Sequence, residues 1–237
     1  AEYIYWPAEK LVQVPTTLDP AEAVVLILNY LVAYQILHRV ANVKAGDKVL
    51  IVGASGGVGA AFLQLGKLAD LTMYGLASRR KHDLLTMYGA TPIDYRTQDF
   101  VKVLRKAEPE GLDFVFNGMG EEYLARGLAV LRRGGVLVHY GGPQSFARFL
   151  LLLGEFLFFN LLPNGKKIKG YGTHREDIRQ MMADWKTLFN LLAEGKIKPI
   201  IEQRFPILEA AKANELLERG TVRGNLVLLA PELLSSQ

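Results

Sequence analysis

The amino-acid sequence predicts a doubly wound α/β fold, that is, a parallel sheet with helices on both of its faces. Short apolar runs alternate with amphipathic runs from Lys48 to Tyr171, which is typical of strands joined by right-handed helical crossovers. The first apolar run, Lys48–Val52, leads directly into a glycine-rich turn, Gly53–Gly59. The 237 residues are 50% apolar and 22% charged, so the chain can bury the core that such a sheet requires.

The elements are assigned in chain order. The first helix begins after Asp19, which can cap it, with Pro20 at the first position and Glu22 completing a capping box, and it runs to about Val40. Strands are predicted at Lys48–Val52, Thr72–Ala77, Pro92–Tyr95, Asp113–Asn117, Gly135–Tyr140 and Lys167–Tyr171. Helices are predicted between them at Gly57–Ala69, Arg80–Tyr88, Gln98–Lys106, Glu121–Leu131 and Phe146–Leu161. Two halves of three strands each predict the strand order 3-2-1-4-5-6.

Further strands are predicted outside the main sheet, near the two ends of the chain. They lie at Ala1–Trp6, Leu11–Val14, Ile200–Phe205 and Asn225–Leu229. The segments Glu176–Ala193 and Leu208–Arg219 are predicted to be helices. Because these outer strands have no partner in the six-stranded count, we expect both chain ends to belong to a second, incomplete substructure.

Composition excludes several classes of function. The net charge is only +4, and no run of Lys and Arg is interleaved with aromatic residues, so no nucleic-acid partner is predicted. The absence of cysteine excludes disulfides, a cysteine nucleophile and zinc held by cysteine. The most apolar segment, Phe146–Leu162, is shorter than the roughly 20 residues of a membrane span and contains Arg148 and Glu155. It is predicted to be a buried or interface helix, and no membrane partner is expected.

The turn Gly53–Gly59 permits two interpretations. A strand that turns sharply into a helix leaves the first helical N–H groups unpaired, and these groups form an anion site with the helix dipole. Glycine lets a phosphate approach such a backbone closely. However, Gly53–Gly57 also matches G-x-S-x-G, the nucleophile elbow of α/β-hydrolases, with Ser55 as nucleophile. The turn alone therefore predicts either a dinucleotide cradle or a serine hydrolase.

The residues after the second strand indicate which dinucleotide such a cradle would bind. NAD-binding sheets usually carry an acid about 20 residues beyond the glycines, where it accepts a hydrogen bond from the ribose 2′-hydroxyl. Here the corresponding residues are Ser78, Arg79, Arg80 and Lys81. Cations and a serine suit a 2′-phosphate instead, so the sequence favours NADP(H).

The hydrolase interpretation requires an acid and a histidine placed beside Ser55. His139, at the end of the fifth strand, is a candidate histidine, and Asp94 and Asp113 are possible acids, but Asp113 begins its strand at the opposite edge of the sheet. A histidine at a strand end more often makes a structural hydrogen bond. A serine hydrolase or esterase at Ser55 therefore stays an alternative to the cradle.

Two other strand ends offer contacts to a cofactor. Asn117, at the end of the fourth strand, lies at the predicted switch point, and Tyr95, at the end of the third, can stack on adenine or bind a 2′-phosphate. Without a cofactor, Asn117 would be explained as the cap of an ordinary turn, and Tyr95 as a half-buried aromatic residue.

Several segments read together resemble a known family. They are NYLVAY at Asn29–Tyr34, KAGDKVLIV at Lys44–Val52, the glycine turn, GATPIDY at Gly89–Tyr95, LRRGG at Leu131–Gly135 and RGNLVL at Arg223–Leu228. In this order they resemble the medium-chain dehydrogenase/reductase superfamily, specifically its zinc-free quinone oxidoreductase (zeta-crystallin-like) branch. The resemblance implies a Rossmann domain and NADPH-dependent reduction of a small molecule of the quinone or enone class in the cytoplasm, without a metal.

The resemblance also assigns roles to residues. It implies that the pyrophosphate is held by Ser55, Gly56, Gly57 and Val58, and the adenosine 2′-phosphate by Ser78, Lys81 and Tyr95. Gly53 and Arg79 are also expected to bind the cofactor. Asn117, Gly118, Tyr140 and Gly141 are implied to line the path of the cofactor. A homodimer is implied through the edge strand Lys167–Tyr171.

The sequence departs from the family pattern in three respects. Relatives carry an N-terminal GroES-like catalytic domain, and this chain begins near its tail, so residues 1–17 are expected to be a remnant of that domain. Residues 18–200 would be the NADP-binding domain and 201–237 a return to the remnant, and we expect cofactor binding with weak or absent turnover. Val32 stands where relatives often have threonine, and Asn225 where lysine is frequent. A non-catalytic NADPH-binding protein is a further alternative.

Overall fold

The computed structural model describes residues 5–8, 11–142, 145–173 and 177–234. Its main sheet has six parallel strands in the order β3-β2-β1-β4-β5-β6, which confirms the predicted fold and strand order. The strands are β1 (Lys48–Val52), β2 (Thr72–Ala77), β3 (Thr91–Asp94), β4 (Leu112–Asn117), β5 (Leu131–Tyr140) and β6 (Lys167–Tyr171). A second, two-stranded parallel sheet pairs β7 (Ile201–Pro206) with β8 (Asn225–Leu229).

Helices cover both faces of the main sheet. They are α1 (Pro20–Ala41), α2 (Gly57–Leu68), α3 (His82–Met87), α4 (Phe100–Ala107), α5 (Leu124–Val130), α6 (Phe146–Leu161), α7 (Ile178–Ala193), α8 (Ala210–Glu218) and α9 (Pro231–Leu234). Along β1, Val49 and Ile51 enter the core under α1, α2, α3 and α7, whereas Leu50 and Val52 enter the core under α4, α5 and α6. A strand buried on both faces explains why the segment is apolar throughout, without the alternation of a half-exposed strand.

The helix α1 is apolar on most sides because it lies inside the fold. Asp19 caps it as predicted, its Oδ1 accepting a hydrogen bond from the Ala21 N–H at 2.9 Å. Within the described residues, α1 is the helix that could cross a membrane by length and composition alone, yet 61% of its apolar window is buried inside the molecule. Two π-helical turns interrupt it, at Leu26–Tyr30 and at Ile36–Ala41.

Several predicted elements differ from the observed ones. Leu11–Val14 forms no strand, since a strand needs a neighbour to receive its backbone hydrogen bonds and none is found among the described residues. Residues 1–4 of the other predicted N-terminal strand lie outside the described residues. The strand β5 begins at Leu131 and not at Gly135, because its register against β4 shifts between Leu112 and Phe114 and so accommodates a bulge.

The close packing of α2 on the glycine turn yields a test of the fold. A Cβ at Gly59 would lie 2.3 Å from the Gly53 carbonyl oxygen, so Gly59→Ala must push α2 away from β1. We expect it to lower the free energy of unfolding by about 1–3 kcal/mol in urea titrations. The control is Gly154→Ala in the middle of α6, where nothing lies within 4 Å and alanine should add about 0.5–1 kcal/mol. Equal stability of the two variants would contradict the packing described.

Candidate functional site

The candidate site lies along the edge of the main sheet where its strands end. Each residue assigned to the cofactor from the sequence lies at this carboxyl edge, after β1, β2, β3, β4 or at the end of β5. Ligands of doubly wound sheets bind in the crevice outside this edge, where the strand order reverses between β1 and β4.

The glycine turn after β1 places backbone N–H groups at the crevice. Gly53 has a φ of +75°, which favours glycine, and the Gly56 N–H donates to the Gly53 carbonyl at 3.1 Å. Gly56 then precedes α2, and no described side chain caps this helix end. A Cβ at Gly56 would have no neighbour closer than 3.6 Å, so its surroundings are open. The turn therefore offers the first backbone N–H groups of α2, a helix dipole and room for an anion.

The residues after β2 form a short cationic turn. Between Ala77 and His82 the sequence has a serine, two arginines and a lysine but no acid, and residues Arg79–Lys81 form a 3₁₀ turn. Lys81 is only 8% exposed, and its ammonium group donates to the Val222 carbonyl at 2.6 Å. Burial lowers the pKa of Lys81, and the nearby guanidinium group of Arg80 lowers it further. This turn suits a phosphate and lacks the acceptor that an unphosphorylated ribose uses.

The end of β3 lies beside this turn. Ala77 pairs with Asp94 in the sheet, so Ser78 and Tyr95 leave neighbouring strands at the same level. The guanidinium group of Arg96 lies 5.8 Å from the centre of the Tyr95 ring, in cation–π contact. Arg96 was missed by the sequence reasoning, although it directly follows Tyr95 and so shares its strand end.

The loop after β4 is held by its own asparagine. The Asn117 Nδ2 donates to the Gly120 carbonyl at 2.7 Å, and its Oδ1 accepts from the Met119 N–H at 3.0 Å. Asn117 is fully buried, so its side chain shapes the turn, as the alternative interpretation held. A Cβ at Gly53 would lie 2.8 Å from the Met119 side chain, which places Met119 over the start of the glycine turn.

Tyr140 closes the crevice at the end of β5. A Cβ at Gly118 would lie 2.4 Å from the Tyr140 ring, so only glycine allows this ring to pack against the loop after β4. Burial raises the pKa of the Tyr140 hydroxyl, which stays protonated at neutral pH. Gly141 follows with a φ of +146°.

A segment near the end of the chain, Val222–Asn225, also contacts the site and was not assigned to it from the sequence. The Gly224 N–H donates to the Ser55 carbonyl at 2.9 Å, and Lys81 binds Val222. Asn29, in the first π turn of α1, donates to the Asn225 side-chain oxygen at 2.5 Å. A Cβ at Gly57 would lie 2.5 Å from the Asn29 amide and 2.6 Å from the Asn225 amide, so the pair lies against the start of α2.

The geometry gives the hydrolase interpretation no support. The His139 ring packs edge-on against Phe156 of α6. Asp113 accepts from the Lys48 N–H at 2.7 Å and from Arg132 at 2.6 Å, at the opposite edge of the sheet from Ser55. Neither contact orients an acid and a histidine toward Ser55.

Comparison with known proteins supports a dehydrogenase-type fold and not a hydrolase. A family model described as "Zinc-binding dehydrogenase" matches residues 88–228. Among the described residues, no group of three or more His, Cys, Asp or Glu side chains could hold a metal ion.

Among curated relatives, the synaptic vesicle membrane protein VAT-1 homolog of Mus musculus is 30% identical over 246 residues, which cover 98% of this chain and 61% of that protein. The 2-haloacrylate reductase of Burkholderia sp is 30% identical over 230 residues, which cover 94% of this chain and 68% of that protein. The chain thus spans about three fifths of the length of the mouse relative.

Solved structures agree with both the fold and the family. The quinone oxidoreductase from Coxiella burnetii matches with a TM-score of 0.75 at 29% identity, covering 91% of this chain and 62% of that one. A 2-haloacrylate reductase matches with a TM-score of 0.79 at 29% identity, covering 94% of this chain and 70% of that one. The chain belongs to the medium-chain dehydrogenase/reductase superfamily, in its zinc-free quinone oxidoreductase branch.

Proposed function

We propose that this chain binds NADP(H) across the carboxyl edge of its main sheet and serves the reduction of a small quinone or enone. The observation that carries the proposal is the cationic turn Ser78–Lys81, which stands where an NAD-specific sheet carries an acid. Relatives named as quinone oxidoreductase and 2-haloacrylate reductase support the reductase part.

The residues divide into three groups along the cofactor. The first N–H groups of α2 would hold the pyrophosphate, the cationic turn would hold the 2′-phosphate, and Gly118 with Tyr140 would line the nicotinamide end. A bound NADPH supplies a hydride to an activated double bond. The chain's own contribution is to bind, orient and shield the reacting groups. The expected cytoplasmic location stays a prediction.

We also propose that the chain forms a homodimer through β6. Within the described residues no strand lies beyond β6, and its backbone at Ile168 is hydrogen-bonded to the Asn160 side chain of α6, at 3.0 Å from the N–H and 3.1 Å to the carbonyl. The same helix exposes large apolar side chains. They are Phe149, Leu150, Leu151, Leu153, Leu157, Phe158 and Leu161. Pairing of β6 with β6 of a second copy would bury both α6 faces at a two-fold axis, which favours a self-complementary interface.

Cofactor titrations test the main proposal. We expect the 237-residue chain to bind NADPH at least about tenfold more tightly than NADH, followed by nucleotide fluorescence, because a charge-assisted phosphate contact adds roughly 1.5–3 kcal/mol. Lys81→Ala should remove most of this preference by weakening NADPH binding more than NADH binding. Lys67→Ala, an exposed lysine in the last turn of α2, serves as the control and should change neither affinity.

Failure to bind either nucleotide would overturn the cofactor proposal. An esterase assay covers the alternative: hydrolysis of p-nitrophenyl acetate that disappears in Ser55→Ala would favour the hydrolase. We expect no such difference, because Asp113 and His139 are engaged elsewhere.

The dimer is tested by light scattering after gel filtration. We expect wild-type chain at twice the mass of 26.3 kDa and Leu157→Glu at the monomer mass, since two buried carboxylates would face each other across the axis. Leu208→Glu is the control, because Leu208 is 92% exposed and lies just before α8, outside the main sheet. A monomeric wild type, or a dimer that survives Leu157→Glu, contradicts this interface.

A further inference from the structure

We infer that Arg223, from the C-terminal segment, is a specificity-determining residue that leaves its carboxylate partners to bind the 2′-phosphate. This inference rests on the proposed NADP(H) function and deepens it, because it adds a residue from a distant part of the chain. It also couples the unit formed by β7, α8 and β8 to the presence of the phosphate.

The neighbours of Arg223 place it between the two anion-binding parts of the site. The preceding residue, Val222, accepts a hydrogen bond from Lys81 at 2.6 Å. The following residue, Gly224, donates to the Ser55 carbonyl at 2.9 Å. A Cβ at Gly224 would lie 2.4 Å from the Ile200 carbonyl oxygen, and its φ is +68°, so the path of the chain past the site depends on glycine. The backbone of Arg223 is thus fixed beside the cationic turn.

The present partners of Arg223 are two carboxylates. Its guanidinium group lies 3.2 Å from Asp83, at the start of α3, and 3.3 Å from Glu202 of β7. The Arg223 side chain is 42% exposed, and Asp83 is 66% exposed. Ion pairs this exposed contribute about 0–1 kcal/mol each, so exchanging them costs little. A phosphate monoester carries nearly two negative charges and accepts a bidentate arginine contact, which makes it the stronger partner.

Nearby cations favour the exchange of the carboxylate partners of Arg223 for a phosphate. Arg80, Arg96 and Arg223 all lie close enough to Lys81 to act on its ammonium group electrostatically, and of the surrounding acids Glu202 opposes them. Lys81 is the buried member of this cluster, so its repulsion by the others is poorly screened by water. A dianion placed among the four cations relieves that repulsion. The Glu202 carboxylate also accepts a hydrogen bond from the Arg223 backbone N–H at 3.3 Å. This bond holds the segment in place while the Arg223 side chain moves.

The test is a double-mutant cycle on nucleotide affinity. We expect Arg223→Gln to weaken NADPH binding about tenfold and to leave NADH binding unchanged. Asp83→Asn removes the competing carboxylate and should strengthen NADPH binding about threefold, but not in the Arg223→Gln background. Arg219→Gln, on the same unit and paired with Glu215 of α8 at 3.0 Å, is the control and should change nothing. Thermal unfolding of each variant confirms that the chain is folded.

A second measurement follows the coupling directly. Hydrogen exchange of the Gly224 amide should slow with 2′,5′-ADP, which carries the 2′-phosphate, and not with 5′-AMP, in wild type but not in Arg223→Gln. Equal loss of NADPH and NADH affinity in Arg223→Gln, or additive effects of the two substitutions, would overturn the inference. If wild type binds neither nucleotide, the proposed function itself fails. A wild-type preference for NADPH that Arg223→Gln leaves intact rejects the role of Arg223 alone.

Discussion

The candidate site depends on the contact between the backbone of α2 and the backbone of the turn after β1. Gly59 has no Cβ, and its Cα can therefore approach the Gly53 carbonyl and Ala54 at a distance that any side chain would prevent. This approach lets the helix begin directly above the end of β1. The first N–H groups of α2 therefore lie at the carboxyl edge of the sheet, beside the crevice between β1 and β4. Wider packing would move the helix dipole away from any bound phosphate.

The residues at the ends of the other strands are arranged around the start of α2. Ser78 and Tyr95 leave β2 and β3 at one level because Ala77 pairs with Asp94, which brings the cationic turn and an aromatic ring to one place. On the other side of β1, the Asn117 side chain holds the next loop so that Met119 covers Gly53. Gly118 accommodates the Tyr140 ring in the same way that Gly59 accommodates the turn. Absent Cβ atoms thus shape both halves of the crevice.

The sequence was sufficient to predict contacts governed by local pattern. The six strands, their order and the residues at their carboxyl ends follow from apolar runs, glycine and the crossover rule, and the cationic turn was visible as four consecutive residues. Contacts between distant residues were not predictable in this way. Lys81 and Val222 are separated by 141 residues, and Asn29 and Asn225 by 196. No local signal marks a carbonyl as the partner of a lysine, so the C-terminal segment was recognised as part of the site only in three dimensions.

These distant contacts change the interpretation of Lys81. From the sequence it is one of three cations on a surface turn, free to meet a phosphate. In the structure it is buried, and one of its three donors already holds the Val222 carbonyl, so it also fixes the segment that carries Arg223. A lysine in that position cannot bind an anion without affecting the C-terminal unit, nor can that unit shift without affecting the lysine. Ser55 lies in the same chain of contacts, since its carbonyl receives the Gly224 N–H. The pyrophosphate turn, the cationic turn and the C-terminal segment therefore act as one connected surface, and a phosphate bound at one part bears on the geometry of the others.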